Sequence, residues 1–187
     1  MRVFVAIPVP DDVRRALGEL IAKVRRTCQQ ARWVRAEGMH VTLKFIGETS
    51  EENVVRVKAA NAAVQSAAPV ELRFRNTGFF PNPKRPRVFW AGIDATPNLA
   101  EIAEAIESKL EPLGIPRETR AFHPHLTLAR FDSPEGVSRL GETLTELAPL
   151  EFGATTARQF HLYQSVLKRG GAEYTVLADF DFVKGGA

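Results

Sequence analysis

The sequence lacks the features of a disulfide-stabilised, secreted or membrane-spanning protein. Cys28 is the only cysteine among 187 residues, which excludes an intramolecular disulfide and a zinc site built from cysteines. No apolar run approaches the roughly 20 residues that a membrane-spanning helix needs. The apolar N-terminal stretch meets Asp11 and Asp12 and is too short for the core of a signal peptide. We therefore expect a cytoplasmic protein with no membrane partner.

The excess of positive charge is small. The chain has 25 Lys and Arg against 22 Asp and Glu, which gives a net charge of +3 and a pI near 9.2. This surplus is compatible with an anionic ligand but is far from the dense basic composition of a chromatin-type protein. The hydrophobic fraction of 44% is ordinary for a globular protein.

Hydrophobic patterning predicts the same alternation of strands and helices in both halves of the chain. Helix starts are indicated by Thr49 with Glu52, by Thr96-Pro97 and by Ser133-Pro134, and a further helix carries Val13 and Leu17 on its apolar face. The predicted strands cover residues 2–8, 32–35, 40–46, 70–80, 87–93 and 125–131, then one long strand ending near 163 and a last strand at 174–182.

The two halves repeat each other at a fixed offset of 85 residues. One shift without gaps superposes Val3-Phe4 on Val88-Phe89, and the His-x-Thr-Leu element at 40–43 on the one at 125–128. The repeat predicts two similar lobes related by a pseudo-twofold axis, with the two His-x-Thr elements facing each other across a cleft. No linker-like segment separates the halves, so we expect a single bilobal domain over residues 1–187.

The repeated element places two polar side chains on one face of each strand. Side chains alternate along a strand, so His40 and Thr42 share a face, as do His125 and Thr127. Two imidazoles on opposite sides of a phosphorus atom can act as base and acid, since both protonation states are accessible near neutral pH. In-line displacement at phosphorus needs that opposed arrangement. The threonine hydroxyls can donate to the non-bridging oxygens.

Two other interpretations of the histidines are open. A single histidine on an amphipathic strand is commonly structural, although repetition of both His and Thr favours a function. His123 and His125 also have the spacing of a metal-ligand pair, with His40 as a third candidate ligand. No Asp or Glu lies beside these motifs, and Gly38 stands where the second half has His123, so we expect neither metal nor cofactor. His161 is interpreted as an ordinary strand residue.

Three segments contain or follow the two motifs: RWVRAEGMHVTLKFIGE, FHPHLTLAR and LYQSVLKRGGAEYTVL. Together they resemble the 2H phosphoesterases, in particular the RNA 2′,3′-cyclic phosphodiesterase family formerly called 2′-5′ RNA ligases. The resemblance implies an α+β fold of two lobes, each a mostly antiparallel sheet packed on two helices, with a central active-site cleft. The resemblance implies that His40 is the general acid that protonates the leaving O3′ and that His125 is the general base that activates water. It implies that Thr42 and Thr127 bind the phosphate of an RNA end, and that a 2′-phosphomonoester is produced without a metal. Weak reverse 2′-5′ ligation is expected as a side activity.

Further substrate contacts are predicted near the second motif. Strict alternation places Arg130 on the face opposite His125, whereas the resemblance favours a phosphate contact for it. Basic residues between strands would attract an RNA backbone; they are Lys84, Arg85, Arg87, Lys168 and Arg169. Single-stranded RNA recognition often needs aromatic stacking, and Phe122 is the predicted base contact. The other aromatic candidates are Trp33, Phe45, Phe79, Phe80 and Tyr163.

Other functions are compatible with the same residues. A binding module for RNA ends or 2′-phosphates would use the histidines only to hold the ligand. We expect the protein to be a monomer. A phosphodiesterase acting on another cyclic phosphate, or on a 2′-5′ linkage, would keep the chemistry and change the substrate.

Overall fold

The computed structural model describes residues 1–184. Within them the strands are β1 (Arg2–Pro8), β2 (Arg32–Trp33), β3 (His40–Glu48), β4 (Val70–Phe80), β5 (Val88–Ala95), β6 (His125–Arg130), β7 (Glu151–Ala157), β8 (Gln159–Lys168) and β9 (Gly171–Asp181). The helices are α1 (Asp11–Val24), α2 (Glu51–Ala62), α3 (Asn98–Leu110) and α4 (Val137–Leu147). No helix in this part of the chain is long and apolar enough to cross a membrane.

The strands form two antiparallel sheets. The first has the order β3-β1-β8-β9, and the second has the order β2-β6-β5-β4-β7. Helices cover the sheets: α1 contacts β7 and α4, α2 contacts β9 and α3, and α3 contacts β3. The predicted α+β fold with two antiparallel sheets and four helices is confirmed.

The two sheets exchange strands between the halves of the sequence. β4, from the first half, pairs with β5 of the second half, and β8 pairs with β1. Under the 85-residue offset, β3, β1 and β8 correspond to β6, β5 and β4, and these triplets occur in the same spatial order. The repeat itself stays a prediction from sequence, and the sheet order is compatible with it.

One large buried cluster contains residues of both sheets. Val5 and Leu162 contribute from the first sheet, and Phe74 and Phe89 contribute from the second. All four side chains have 0% exposure, and apolar residues from the four helices complete the cluster. Burial of this apolar surface is the main force that holds the two sheets together.

Some element boundaries differ from the sequence prediction. The long strand predicted to end near 163 is two strands, β7 and β8, because the chain crosses from one sheet to the other at Arg158. Helix α2 is capped by Ser50, not Thr49: the Ser50 hydroxyl oxygen accepts from the Asn53 amide at 3.1 Å. Helix α4 begins at Val137, after Gly136 with φ of 82°, and so starts later than predicted.

Candidate active site

Each motif histidine begins a strand and is held by a backbone carbonyl two residues before it. Nδ1 of His40 lies 3.0 Å from the oxygen of Gly38, and Nδ1 of His125 lies 2.7 Å from the oxygen of His123. Because a carbonyl oxygen only accepts, Nδ1 is the protonated nitrogen in both rings. Nε2 is therefore free to accept or release a proton in both copies.

The two motif strands contact each other and present the predicted residues in pairs. Thr42 and Thr127 lie two residues after the histidines on the same strand faces, and the intervening Val41 and Leu126 are buried in the core. β3 and β6 belong to different sheets but contact each other. The structure thus places the two His-x-Thr elements on neighbouring strands, one from each sheet.

The imidazole of His40 is enclosed by aromatic rings. Its centroid lies 4.4 Å from that of Tyr163, 5.0 Å from Tyr174 and 5.5 Å from Phe4. Burial is the main cause that lowers the pKa of His40 to about 4; the Arg14 and His161 charges lower it further, and the Gly38 carbonyl opposes them. The free ring is therefore neutral at neutral pH.

Tyr174 also accounts for the glycine before the first motif. A Cβ added at Gly38 would lie 3.1 Å from Cε2 of Tyr174, which leaves little room for a side chain. The equivalent position of the second motif has His123, whose ring lies against Phe80 with centroids 5.5 Å apart. The two histidines therefore have matching backbone bonds but different surroundings.

The second motif has a separate aromatic neighbourhood. Phe80 approaches His125 edge to face, with ring centroids 5.3 Å apart, and also packs on Trp90 at 5.2 Å. Trp90 is directly opposite both Thr127 and Gly78 in the sheet. Its ring covers Gly78 so closely that an added Cβ would overlap the ring carbons. Phe80 is thus the aromatic candidate that the structure places against His125.

Arg130 lies on the same sheet face as His125, contrary to the alternation prediction. In the pairing of β5 with β6, Trp90 is opposite Thr127 but Phe89 is opposite Ala129. The skipped residue, Leu128, marks a β-bulge that reverses the facing of the residues after it. Arg130 pairs with Val88 and so shares the face of Trp90 and Thr127. A register shift also precedes Phe45, the residue equivalent to Arg130.

Phe122 lies apart from this cluster. It is partly buried against the main core and lines a cavity of about 360 Å³ together with Ile93, Pro97, Leu99 and Pro124. No motif residue lines that cavity. Its role in base binding stays a prediction.

Three residues near His40 were not predicted from the sequence. Phe4 and Tyr174 contact the imidazole, and Arg14 influences its charge state. Tyr174 lies inside the LYQSVLKRGGAEYTVL segment, which is the only signal that could have drawn attention to it. Phe4 and Arg14 reach the site through strand pairing and the position of α1, which single-sequence patterns do not define.

Metal ligands are sparse around the motifs. The rings of His123 and His125 have centroids 6.3 Å apart. Among residues 1–184, no group of three or more His, Cys, Asp and Glu side chains is arranged to hold a metal ion. The basic loops differ from each other, since Lys168 is paired with Glu173 at 3.1 Å whereas Lys84 and Arg85 are exposed.

The two antiparallel sheets and the paired His-x-Thr strands are those of a two-histidine phosphoesterase. The model of the family described as LigT like Phosphoesterase matches residues 7–90 and 93–174. The chain belongs to this family, as its sequence predicts.

Curated relatives extend over almost the whole chain. A protein of Methanocaldococcus jannaschii is 31% identical over 182 residues, covering 96% of this chain and 100% of the relative. A Thermus thermophilus protein is 35% identical over 188 residues, covering 96% and 89%. Both are named RNA 2′,3′-cyclic phosphodiesterase.

Solved structures show the same architecture. A crystal structure of a Thermus thermophilus protein matches with a TM-score of 0.79 and 32% identity, covering 99% of this chain and 100% of the other. Escherichia coli LigT in complex with 3′-AMP matches with a TM-score of 0.79 and 28% identity, covering 98% of each chain.

Proposed function

We propose that this protein hydrolyses 2′,3′-cyclic phosphate ends of RNA to 2′-phosphomonoesters. The observation that carries the proposal is the pair of contacting strands that present His40 and His125 with Nδ1 bonded to a carbonyl and Nε2 free. Relatives with this activity in their names are similar over nearly the full chain. The mild basic surplus suits a polyanionic substrate.

In the proposed reaction, Nε2 of His125 accepts a proton from water as the water oxygen forms a bond to phosphorus. The bond from phosphorus to O3′ breaks, and O3′ takes a proton from Nε2 of His40. The products are a 2′-phosphomonoester and a 3′-hydroxyl group. The hydroxyls of Thr42 and Thr127, with Arg130, donate to the non-bridging oxygens, where negative charge accumulates.

The low pKa of His40 imposes a condition on this assignment. An imidazole with a pKa of about 4 carries no proton to donate in the free protein at neutral pH. A bound phosphodiester anion favours the charged ring and raises its pKa. His40 therefore acquires its proton together with the substrate. If a 5′-hydroxyl replaces water, the same proton transfers join two RNA ends, which accounts for the expected weak ligation.

Phosphorus NMR of a 2′,3′-cyclic nucleotide incubated with the protein and EDTA tests the proposal. We expect repeated turnovers to the 2′-ester, and no turnover by the His40→Ala, His125→Ala double variant. Salt-sensitive RNA binding without turnover would instead identify a binding module. Formation of the 3′-ester would contradict the proposed leaving group. Monomeric state and cytoplasmic location stay predictions.

A further inference from the structure

A row of four residues crosses the sheet face that carries His40, which we call the His40 face. Ala6 of β1 is directly opposite Thr42 on one side and His161 on the other, and His161 is opposite Asp179. Directly opposed residues share a face, so all four lie on the face of His40. Neighbouring strands are about 4.8 Å apart, which places Thr42 and His161 about 10 Å from each other. That separation leaves room for a second anion beside one that is bound to Thr42.

The imidazole of His161 has an unused polar atom. Its Nδ1 is buried and has no hydrogen-bond partner among residues 1–184. Buried polar atoms are normally paired, so an orphan on a substrate-facing surface indicates a missing ligand or water. Burial lowers the pKa of His161, while the carboxylate of Asp179 opposes that shift. The ring contacts Tyr163, with centroids 5.6 Å apart, and so borders the surroundings of His40.

The cation of the same region is Arg14, in the first turn of α1. β1 ends at Pro8, which is directly opposite His40, and α1 begins at Asp11, so the first turn of α1 follows the end of β1 that lies beside His40. The positive charge of Arg14 lowers the pKa of both His40 and Tyr163. Its only ion pair in the described chain is with Asp11, at a distance of 4.0 Å, and Asp11 is 95% exposed. Its Nε is buried and has no partner within residues 1–184. A partly buried guanidinium with a free N–H is well suited to bind a phosphate oxygen.

We propose that Arg14 and His161 form a subsite for the phosphodiester that links the terminal nucleotide of the RNA to its 5′ neighbour. The subsite rests on the proposed function, because the reactive cyclic phosphate occupies the space between His40 and His125. The separation of Thr42 and His161 across the strands gives the subsite a place of its own beside Thr42. Arg14 supplies the charge, and both side chains supply N–H donors. The protein would therefore prefer an RNA end to a free cyclic nucleotide.

The test compares two substrates that share the terminal base. One is uridine 2′,3′-cyclic phosphate, and the other is a dinucleotide ending in the same cyclic uridine phosphate. Arg14→Gln should lower kcat/KM for the dinucleotide by roughly tenfold or more beyond any loss for the mononucleotide. A change of this size is expected for the loss of a charge-assisted hydrogen bond. His161→Gln is expected to show the same selectivity with a smaller loss. Arg15→Gln, at the neighbouring exposed arginine, is the matched control and should change neither value.

Salt provides a second readout. Removal of one phosphate contact should make the affinity for the dinucleotide less sensitive to salt and leave the salt dependence for the mononucleotide unchanged. Equal losses on both substrates would place Arg14 at the reactive phosphate and overturn the subsite. Unchanged dinucleotide kinetics in both variants would also overturn it.

A failure of the proposed subsite can be distinguished from a failure of the proposed reaction. If the wild-type protein hydrolyses neither substrate, the proposed function is wrong. Calorimetric titration with uridine 2′-monophosphate and with the corresponding dinucleotide 2′-phosphate then decides the subsite by itself. Tighter binding of the dinucleotide that is lost in Arg14→Gln and His161→Gln would support it, and equal affinity for both ligands would overturn it. Circular dichroism confirms that each variant is folded.

Discussion

The ammonium nitrogen of Lys44 lies 2.8 Å from Oε2 of Glu107, and the two side chains are only 4% and 12% exposed. Lys44 also donates to the carbonyl oxygen of Pro116 at 2.6 Å. The pair joins β3, immediately after the first motif, to α3 and to the segment that leads to the second motif. It thus connects the first motif strand to α3 and to the segment that precedes the second motif strand.

Removal of the lysine should be costly. Lys44→Met leaves the carboxylate of Glu107 buried without its cation, so we expect the free energy of unfolding to fall by about 3 kcal/mol. The exposed pair between Arg73 and Glu151 serves as control, because its side chains are 53% and 48% exposed. Arg73→Met should cost less than about 1 kcal/mol. Urea denaturation measures both, and equal costs would contradict the role of burial.

Two neighbouring histidines should respond differently to the same substitution. His125→Ala removes the proposed base, and we expect kcat to fall by roughly 10²- to 10⁴-fold. His123→Ala keeps the backbone carbonyl that accepts from Nδ1 of His125, so kcat should fall by less than about tenfold. Steady-state hydrolysis of a cyclic nucleotide measures both. A larger loss in His123→Ala would indicate that the adjacent histidines work together.

The pKa of His40 should depend on ligand. In the free protein we expect a pKa of about 4, mainly because the ring is buried among Phe4, Tyr163 and Tyr174. Bound adenosine 2′-monophosphate should raise the pKa, since the anion favours the protonated ring. NMR titration of the imidazole resonances with and without the nucleotide measures this change. An unperturbed pKa near 6.5 in the free protein would contradict the effect of burial.

The same burial links stability to pH. The folded pKa of His40 is about 4, below the ordinary value of 6.5, so the unfolded chain takes up the proton first as the pH falls. The contribution of the neutral ring to the free energy of unfolding is therefore fully present above pH 6.5, and it is lost as the pH falls from 6.5 through 4. His40→Gln has no such proton and should show a flatter loss of stability over this range. Urea denaturation at several pH values gives the two slopes, and parallel slopes would refute this link.

Two glycine-to-alanine substitutions should have opposite effects on stability. At Gly78 the new methyl group would overlap ring carbons of Trp90. The indole, which lies opposite Thr127, must then shift. We expect a loss of about 1–3 kcal/mol and reduced kcat/KM. At Gly141, inside α4, nothing lies within 4 Å, and alanine should stabilise the helix by about 0.5–1 kcal/mol. Thermal unfolding compares them, and a neutral Gly78→Ala would contradict this packing.

The sequence was sufficient for the features that depend on local pattern. Period-two alternation correctly places Thr42 with His40 and Thr127 with His125, and the apolar runs predict most of the strands. The predicted α+β fold and phosphoesterase family are confirmed. These features follow from the side-chain period and from residue types close together in the chain.

Features that depend on pairing between distant strands were not predictable in the same way. The facing of Arg130 depends on a bulge at Leu128, which is visible only in the register of β6 against β5. The single long strand predicted near the C-terminus is interrupted at Arg158, because β7 and β8 pair in different sheets. Arg14 is an ordinary helix residue in the sequence, and its proximity to His40 depends on tertiary packing.

The exchange of β4 and β8 between the sheets has a consequence for how such a chain could have arisen. A chain that contained only the first half would have β1 without β8, and β4 without β5 or β7. If the halves descend from one ancestral segment, as the offset predicts, that segment would have closed its sheets only by interlocking with a second copy. Each copy would then have supplied one histidine to a shared site, and the present protein would be the fused form of that strand-swapped dimer.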